Sequence, residues 1–252
     1  MTVTWRMLYA VVMILSVVAS FRLMQTRQNR INLTRSQRYL IGIAAFLGSM
    51  LGAKAPFLGD GGWEAVYSGT VWFADGKTIL GGIVGGYAAV ELAKWIGNIR
   101  TRTGDAFALP VAVAVAIGRV GCFVAGCCYG QVTAMPWGVS FPLAQDAEGI
   151  VRHPTQLYEL AFHSAAVLAL LVMDRKRWLV DNQLKAYLIA YMFYRFFSEW
   201  LRPESQVWLN LSGYQLSSVV IAAILIMLWV RDGRYRAPIV AESNVGKEVI
   251  HE

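Results

Sequence analysis

The chain has 252 residues, of which 56% are hydrophobic and only 15% are charged, and its mean hydropathy is +0.46. A soluble domain usually has about 25% charged residues, and a disordered chain is poor in apolar residues, so both classes are excluded. The formal charge of +7 would suit a nucleic-acid-binding protein. Basic residues of membrane proteins, however, collect in loops on one side of the bilayer. We therefore expect the membrane bilayer as a partner and no nucleic acid.

Apolar stretches predict an all-α fold, a polytopic membrane bundle of about seven transmembrane helices, because one crossing needs about 20 apolar residues. The predicted helices cover residues 7–24, 39–58, 79–97, 107–128, 157–173, 185–202 and 210–230. We expect one helical domain over residues 1–236, with a small external cap formed by the loops 59–78 and 129–156. Residues 237–252 are predicted to form a cytoplasmic tail.

The loops between these helices alternate in charge. Most of the 23 basic residues fall in the first, third and fifth loops and in the C-terminal tail. In membrane proteins the cytoplasmic loops carry the excess of lysine and arginine. The pattern therefore predicts a cytoplasmic C-terminus and, with an odd number of crossings, an external N-terminus.

Ionisable residues inside the apolar stretches are the main functional signal. Each costs roughly 2.5–3.5 kcal/mol on insertion unless it has a partner, a water-filled cavity or a ligand. Four predicted helices contribute such residues to the outer half of the bundle, and these are Lys54, Arg119, Glu159, Arg195, Glu199 and Arg202. The cations outnumber the carboxylates by two, which predicts an anionic ligand. An anionic phospholipid fits, because its phosphate can take bidentate arginine contacts while its acyl chains stay in the apolar bundle.

The predicted sixth helix carries its polar residues on one stripe, at steps of three and four residues. The stripe consists of Tyr187, Tyr191, Arg195, Ser198, Glu199 and Arg202. We expect it to face the interior of the bundle, where Arg195 and Glu199 can form an ion pair. A purely structural ion pair is the alternative interpretation, so residue types alone leave open a lipid enzyme or a lipid carrier.

Three sequence blocks resemble signatures of the prolipoprotein diacylglyceryl transferase family. Residues 118–130 (GRVGCFVAGCCYG) resemble its glycine-arginine signature, and residues 153–159 (HPTQLYE) resemble its second block. Residues 195–204, with two arginines and a glutamate before a proline, resemble the third block, and Gly81-Gly82 resembles a glycine-rich helix start. The blocks follow in order along nearly the whole chain, which argues against a chance match.

The resemblance implies a multi-pass protein of the bacterial inner (cytoplasmic) membrane whose active site faces the outer leaflet. The implied reaction moves the diacylglyceryl group of phosphatidylglycerol to the lipobox cysteine thiol of a lipoprotein precursor. Glycerol phosphate is the leaving group, and the reaction requires no metal or cofactor. The implied partners are phosphatidylglycerol or another anionic phospholipid, and a lipoprotein precursor or another acceptor.

Candidate site residues follow from the resemblance together with the polar cluster. The catalytic candidates are Arg119, Arg195, Glu199 and His153. The arginines would stabilise charge on the departing phosphate, and His153, Glu159 or Glu199 would accept the thiol proton. A hydrogen-bonding role beside Pro154 is the alternative for His153. The substrate-binding candidates are Arg202, Lys54, Gln156, Tyr158, Glu159, Gly81 and Gly82, where close helix packing is the alternative for the two glycines.

The chain departs from the family pattern at four positions. Leu80 stands where the family has a histidine, and Cys122, Ala125 and Cys127 replace two asparagines and a glutamate. The phosphate-binding half therefore matches better than the acceptor-binding half. The alternatives are a phospholipid-dependent transferase with a different acceptor and a noncatalytic anionic-lipid-binding membrane protein.

All three cysteines of the chain lie in the altered signature. Near Arg119, either Cys127 or Cys128 could have a lowered pKa and act as a nucleophile, or the pair could be redox-active in an external compartment. Buried packing residues are the alternative, above all for Cys122. Three cysteines without a nearby histidine form a poor zinc pattern, so the sequence predicts no metal site.

Overall fold

The computed structural model describes residues 3–55, 78–141, 149–203 and 206–248. Within these ranges the long helices are α1 (Val3–Gln28), α2 (Arg35–Lys54), α3 (Ile79–Ile96), α4 (Gly104–Ala125), α5 (Thr155–Lys176), α6 (Gln183–Ser198) and α7 (Gly213–Glu248). Two short antiparallel pairs join β1 (Val139–Ser140) to β2 (Val151–Arg152) and β3 (Gln206–Trp208) to β4 (Leu211–Ser212). The predicted all-α bundle is therefore confirmed, apart from these small hairpins.

Five helices of the described part of the chain are long and apolar enough to cross a bilayer. These spans are Met7–Gln28, Ile79–Ile96, Gly104–Ala125, Thr155–Lys176 and Gly213–Asp232. The other two helices differ in composition and length, since α2 contains Arg35, Arg38 and Lys54 while α6 has only 16 residues. A membrane bundle is confirmed, whereas the count of seven crossings and the orientation of the termini stay predictions.

Several helix ends differ from the predicted ones for local backbone reasons. The fourth helix ends at Ala125 and not at 128, because Gly126 (φ +64°) and Cys128 (φ +62°) adopt left-handed conformations that break the α-helical path. Helix α6 ends at Ser198, and a 3₁₀ turn over Glu199–Leu201 carries the chain to Arg202. Helix α7 continues to Glu248, so much of the predicted tail is helical.

The chain divides into two compact units, residues 25–103 and residues 1–24 with 104–252. The single domain expected over residues 1–236 stays a prediction. Of the predicted external cap, residues 59–77 and 142–148 lie outside the described residues.

The unit of residues 25–103 is built on very close packing of α2 against α3. Helix α2 begins at a capping box, in which Thr34 accepts from the Gln37 amide and the Gln37 side chain accepts from the Thr34 amide. A Cβ atom on Gly52 would collide with the Gly81 carbonyl oxygen, and one on Gly81 would collide with the Gly52 carbonyl oxygen. In lipid the hydrophobic effect does not drive helices together. Small residues instead let the helix backbones approach closely enough to pack. The structure thus shows the packing role foreseen for Gly81.

In the larger unit, polar contacts join the starts of α4 and α6 to neighbouring segments. The Asp105 carboxylate at the start of α4 accepts from the backbone amides of Asp181 and Gln183, which lead into α6. An ion pair of 2.6 Å joins Lys185 of α6 to Asp232 of α7. With this end fixed, the opposite ends of α4 and α6 and the starts of α5 and α7 come together around one set of polar side chains.

Candidate functional site

The Glu159 carboxylate is the centre of the candidate site. It lies in the second turn of α5 and is fully buried, with 0% of its surface exposed. Arg119 Nη2 of α4 lies 2.6 Å from Oε1, and Arg202 Nη2 lies 2.8 Å from Oε2. Tyr191 of α6 donates its hydroxyl to Oε1 at 2.7 Å. One carboxylate therefore binds donors from three separate chain segments.

A second ion pair lies where α6 passes into the 3₁₀ turn. Arg195 Nη2 is 2.8 Å from Glu199 Oε2, as the i, i+4 spacing predicted. Ser212 of β4 donates its hydroxyl to Glu199 Oε1 at 3.0 Å, and the Arg195 guanidinium lies 4.9 Å from the centre of the Tyr214 ring. The polar stripe predicted for the sixth helix is confirmed, because every member except the half-buried Ser198 is buried. We call Arg119, Glu159, Arg195, Glu199 and Arg202 the arginine cluster.

The arginine cluster is cationic, since its three guanidinium groups face two carboxylates. Within this unit the excess is one charge. Lys54, the fourth predicted cation, belongs to the other compact unit, so the predicted excess of two stays a prediction. Three buried guanidinium nitrogens, Arg119 Nε, Arg195 Nη1 and Arg202 Nε, have no hydrogen-bond partner among the described residues. A buried donor without a partner costs about 1–3 kcal/mol and more when charged. The arrangement therefore favours an anion that accepts from these groups.

The loop that follows α4 is held by hydrogen bonds to the start of α5 and to His153 just before it. Thr155 Oγ1 donates to the Cys128 carbonyl at 2.7 Å, and Gln156 Nε2 donates to the Cys127 carbonyl at 2.6 Å. The Gly130 amide donates to the His153 carbonyl at 2.8 Å. A Cβ atom on Gly130 would lie 2.6 Å from the Leu201 carbonyl oxygen, so only glycine fits there without displacement. We call residues 126–130 the cysteine loop.

The three cysteines converge at the base of the cysteine loop. Their Sγ atoms all lie within 4.8 Å of one another, and all three thiols are free. Hydrogen bonds from Cys122 and then Cys127 lower the pKa of the Cys128 thiol, and the Arg119 and Arg202 charges add to this effect against the cost of burial. Hydrogen bonds with Cys122 and then Cys128 raise the pKa of the Cys127 thiol, and the chemical role expected for either thiol stays a prediction. The convergence itself could not be seen in the sequence spacing.

His153 lies at the rim of the site in a small hydrogen-bonded group. Its Nδ1 is 3.1 Å from the Tyr158 hydroxyl, which also accepts from Trp137 Nε1 at 2.7 Å. The structure thus supplies the hydrogen-bonding alternative for His153, and the catalytic role stays a prediction. His163 is completely buried, and its Nδ1 lies 2.9 Å from Tyr187 Oη of α6.

The structure brings most of the predicted site residues together. The residues that meet at or around the arginine cluster are Arg119, His153, Gln156, Tyr158, Glu159, Arg195, Glu199 and Arg202, with Cys127 and Cys128 beside them. Lys54, Gly81 and Gly82 belong to the other unit, and their substrate-binding role stays a prediction.

Two participants were missing from the predicted site. Tyr191 belongs to the polar stripe of α6, and its position one turn before Arg195 was a signal for a buried hydroxyl. Thr155 lies in the second signature block, but nothing in the sequence indicated that its hydroxyl fixes the cysteine loop.

Comparison with known proteins identifies the relatives of this chain. The family model described as prolipoprotein diacylglyceryl transferase matches residues 2–231. The chain belongs to this family. The resemblance drawn from the sequence blocks is confirmed, and with it the prediction of a transferase that moves a diacylglyceryl group.

Individual relatives agree over different lengths. A phosphatidylglycerol–prolipoprotein diacylglyceryl transferase from Photobacterium profundum is 30% identical over 78% of this chain and 77% of its own length. A protein of the same name from Wolbachia pipientis is 27% identical over 90% of this chain and 91% of its own length. The diacylglyceryl transferase 2 of Clostridium perfringens is 35% identical over 62% of each chain. All three are bacterial proteins.

Proposed function

We propose that this protein transfers the diacylglyceryl group of phosphatidylglycerol to the lipobox cysteine thiol of a lipoprotein precursor. The observation that carries the proposal is the arginine cluster. Its three buried guanidinium groups are held by two carboxylates, Glu159 and Glu199, and each keeps a nitrogen donor that no described residue satisfies. Family membership and the names of the relatives agree with this chemistry.

The phosphate of the lipid headgroup is the anion that we assign to the cluster. Guanidinium groups suit it because they are always charged and present forked donors to phosphate oxygens. Arg119 and Arg195 each hold one carboxylate contact and one unpaired nitrogen, so each can bind phosphate while remaining anchored. Arg202 is the third donor, at the turn after α6.

The reaction places its largest charge change on this phosphate. The acceptor thiol gives its proton to His153 or Glu199, the remaining candidate proton acceptors, its sulfur attacks the glyceryl carbon, and the bond from that carbon to the phosphate oxygen breaks. The electron pair leaves with glycerol phosphate, whose phosphate gains one negative charge. A preorganised donor aimed at such developing charge is typically worth about 3 kcal/mol. Glu159 positions two of the three arginines and is not needed as a proton acceptor in this assignment.

The proposed enzyme crosses the bacterial inner membrane seven times, with its N-terminus outside and its C-terminus in the cytoplasm. The alternation of basic loops supports this orientation. Helix α4 then runs outward, and the arginine cluster near its C-terminal end faces the outer leaflet. Phosphatidylglycerol of that leaflet reaches the cluster laterally, with its acyl chains among the apolar helices.

A transfer assay tests the proposal directly. Phosphatidylglycerol labelled in its diacylglyceryl part is incubated with the purified full chain and a lipobox peptide, and label on the peptide is measured. We expect transfer to the cysteine peptide and none to a peptide with serine in its place. Label appearing only in other lipids or thiols would favour a different acceptor, and no label under conditions where a known transferase works would favour noncatalytic lipid binding.

The variant Arg119→Ala examines the role of the cluster in the same assay. We expect a loss of about 100- to 1,000-fold in turnover, the effect of removing one charge-stabilising donor. Arg175→Ala is the matched control, because Arg175 is an exposed arginine at the far end of α5. Full activity in Arg119→Ala would reject the phosphate-binding role.

A further inference from the structure

Cys122 and the two thiols of the cysteine loop form a compact group that the arginine chemistry does not use. Cys122 lies in the last turn of α4, and the left-handed residues Gly126 and Cys128 turn the chain back toward it. Cys127 Sγ approaches the Cys122 carbonyl at 3.6 Å. A segment of only seven residues thereby brings three Sγ atoms within 4.8 Å of one another.

This spacing is close to that of a thiolate metal site. In a tetrahedral zinc site with Zn–S bonds of about 2.3 Å, neighbouring sulfur atoms are about 3.8 Å apart. Contraction of the group by up to about 1 Å is enough, and Cys127 and Cys128 have exposed side chains that can rotate. Hydrogen bonds from Gln156 and Thr155 hold the backbone carbonyls of both residues in place. Outer-shell hydrogen bonds orient the ligands of metal sites in a similar way.

The ligand number and the surrounding charge point to one type of site. Among the described residues the group contains three thiols and no fourth histidine, cysteine or carboxylate. Three protein ligands with an open fourth position are typical of catalytic zinc, whereas structural zinc has four. Zinc with three thiolates carries one negative charge. The adjoining arginine cluster, which begins with Arg119 one turn before Cys122, places guanidinium groups next to this negative charge.

We propose that Cys122, Cys127 and Cys128 bind a zinc ion as thiolates, and that its open position binds the acceptor cysteine of the lipoprotein precursor. This inference rests on the proposed function, because it assigns the acceptor half of the same reaction. A thiol bound to zinc is deprotonated outright. The site therefore holds the acceptor as a thiolate beside the arginines that bind the leaving phosphate.

The chemical balance needs no oxidant or reductant. The acceptor thiol replaces a zinc-bound water and releases its proton to solvent. A lone pair of the bound thiolate sulfur attacks the glyceryl carbon, and the bond from carbon to phosphate oxygen breaks with its electrons leaving on glycerol phosphate. The product is a neutral thioether, a weaker ligand for zinc than the thiolate, and water displaces it. Zinc stays divalent throughout.

Metal binding can be measured without lipid or turnover. The full chain, purified in detergent under reducing conditions without chelator, is titrated with Co²⁺ and followed by visible absorption. We expect one Co²⁺ per chain with the intense bands of tetrahedral thiolate coordination, and displacement of Co²⁺ by Zn²⁺. Cys127→Ser and Cys128→Ser should each lose the bands, while Tyr129→Phe, a change in the same loop that removes no thiol, should keep them. Far-ultraviolet circular dichroism checks that each variant keeps its helices.

The open position is tested with the acceptor itself. A lipobox peptide with cysteine should change the Co²⁺ bands, and the serine peptide should not. Removal of zinc by a chelator should lower transfer to the cysteine peptide by on the order of 100-fold, the lower range for loss of a proton-accepting group, and zinc should restore it. Phosphatidylglycerol binding should persist without zinc, which separates this proposal from the phosphate-binding role.

Four outcomes would overturn the zinc site. These are weak octahedral Co²⁺ bands, bands that survive in both serine variants, transfer that is indifferent to the chelator, and a disulfide between two of the thiols in the active enzyme. If transfer itself were absent but Co²⁺ bound as expected, the metal site would stand and the proposed reaction would fall.

Discussion

The arginine cluster and the cysteine loop adjoin each other but are held in place by different means. The cluster is buried between helices, and its charges are fixed by ion pairs of 2.6–2.8 Å to Glu159 and Glu199. The loop is held through its backbone, and its two cysteines are exposed residues. The two regions therefore suit different tasks. A preorganised cluster suits charge stabilisation, whereas an accessible loop can receive a second substrate.

The largest effect is expected from removing the shared carboxylate of the cluster. Glu159→Gln leaves the Arg119 and Arg202 charges buried without their counterion. Loss of one partner of a buried pair destabilises a protein by about 3–5 kcal/mol. Thermal unfolding of the purified chain measures this effect.

The control for that experiment is an ion pair at the surface. Glu91 pairs with Lys94 at 2.9 Å and its side chain is 49% exposed, so Glu91→Gln should cost less than about 1 kcal/mol. Equal stability losses in the two variants would show that Glu159 does not organise the cluster.

A smaller effect is expected from displacing the cysteine loop while the cluster remains intact. In Gly130→Ala the new methyl group meets the Leu201 carbonyl and the His153 side chain. Overpacking of this kind costs about 1–3 kcal/mol, and the displaced loop should lower the affinity for the lipobox peptide more than that for phosphatidylglycerol. Separate binding titrations with each substrate distinguish the two.

Gly149→Ala is the matched glycine change for this comparison. It is also strained, because Gly149 has a φ of +87°, but it has open space around it. An equal weakening of peptide binding in Gly149→Ala would mean that the displacement at Gly130 is not the cause.

The smallest effect is expected from Tyr158 and His153, at the rim of the site. Tyr158→Phe removes the hydroxyl that joins His153 to Trp137, and the loss of such bonds costs about 0.5–1.5 kcal/mol in stability. If His153 acts only through this hydrogen bond, His153→Gln should reduce transfer no more than Tyr158→Phe does. A much larger loss in His153→Gln, measured in the same transfer assay, would restore the predicted catalytic role of His153.

Local patterns in the sequence were enough for features that lie within one helix or between adjacent ones. The Arg195–Glu199 pair follows from an i, i+4 spacing, and close helix packing at Gly81 follows from the small-residue motif, although that motif did not name Gly52 as its partner. The hub at Glu159 was harder, because its donors lie 32, 40 and 43 residues away in sequence. Apolar periodicity placed these residues at one depth but could not show which groups touch.

The spatial arrangement of the three cysteines could not be predicted from the sequence. Their spacing resembles no common zinc motif, and the prediction of no metal site followed from that spacing. The thiols converge because Gly126 and Cys128 adopt left-handed backbone conformations, whereas the predicted helix continued through both residues. For Lys54 the sequence indicated a depth in the membrane, but it could not show which other residues lie beside it.

Equilibrium binding of phosphatidylglycerol to the detergent-solubilised chain, with diacylglycerol as the phosphate-free comparison, tests the phosphate role of the arginine cluster most directly. We expect the native chain to prefer phosphatidylglycerol, Arg175→Ala to keep this preference, and Arg119→Ala to lose it while retaining its helix content. An unchanged preference in a folded Arg119→Ala variant would show that Arg119 does not bind the phosphate.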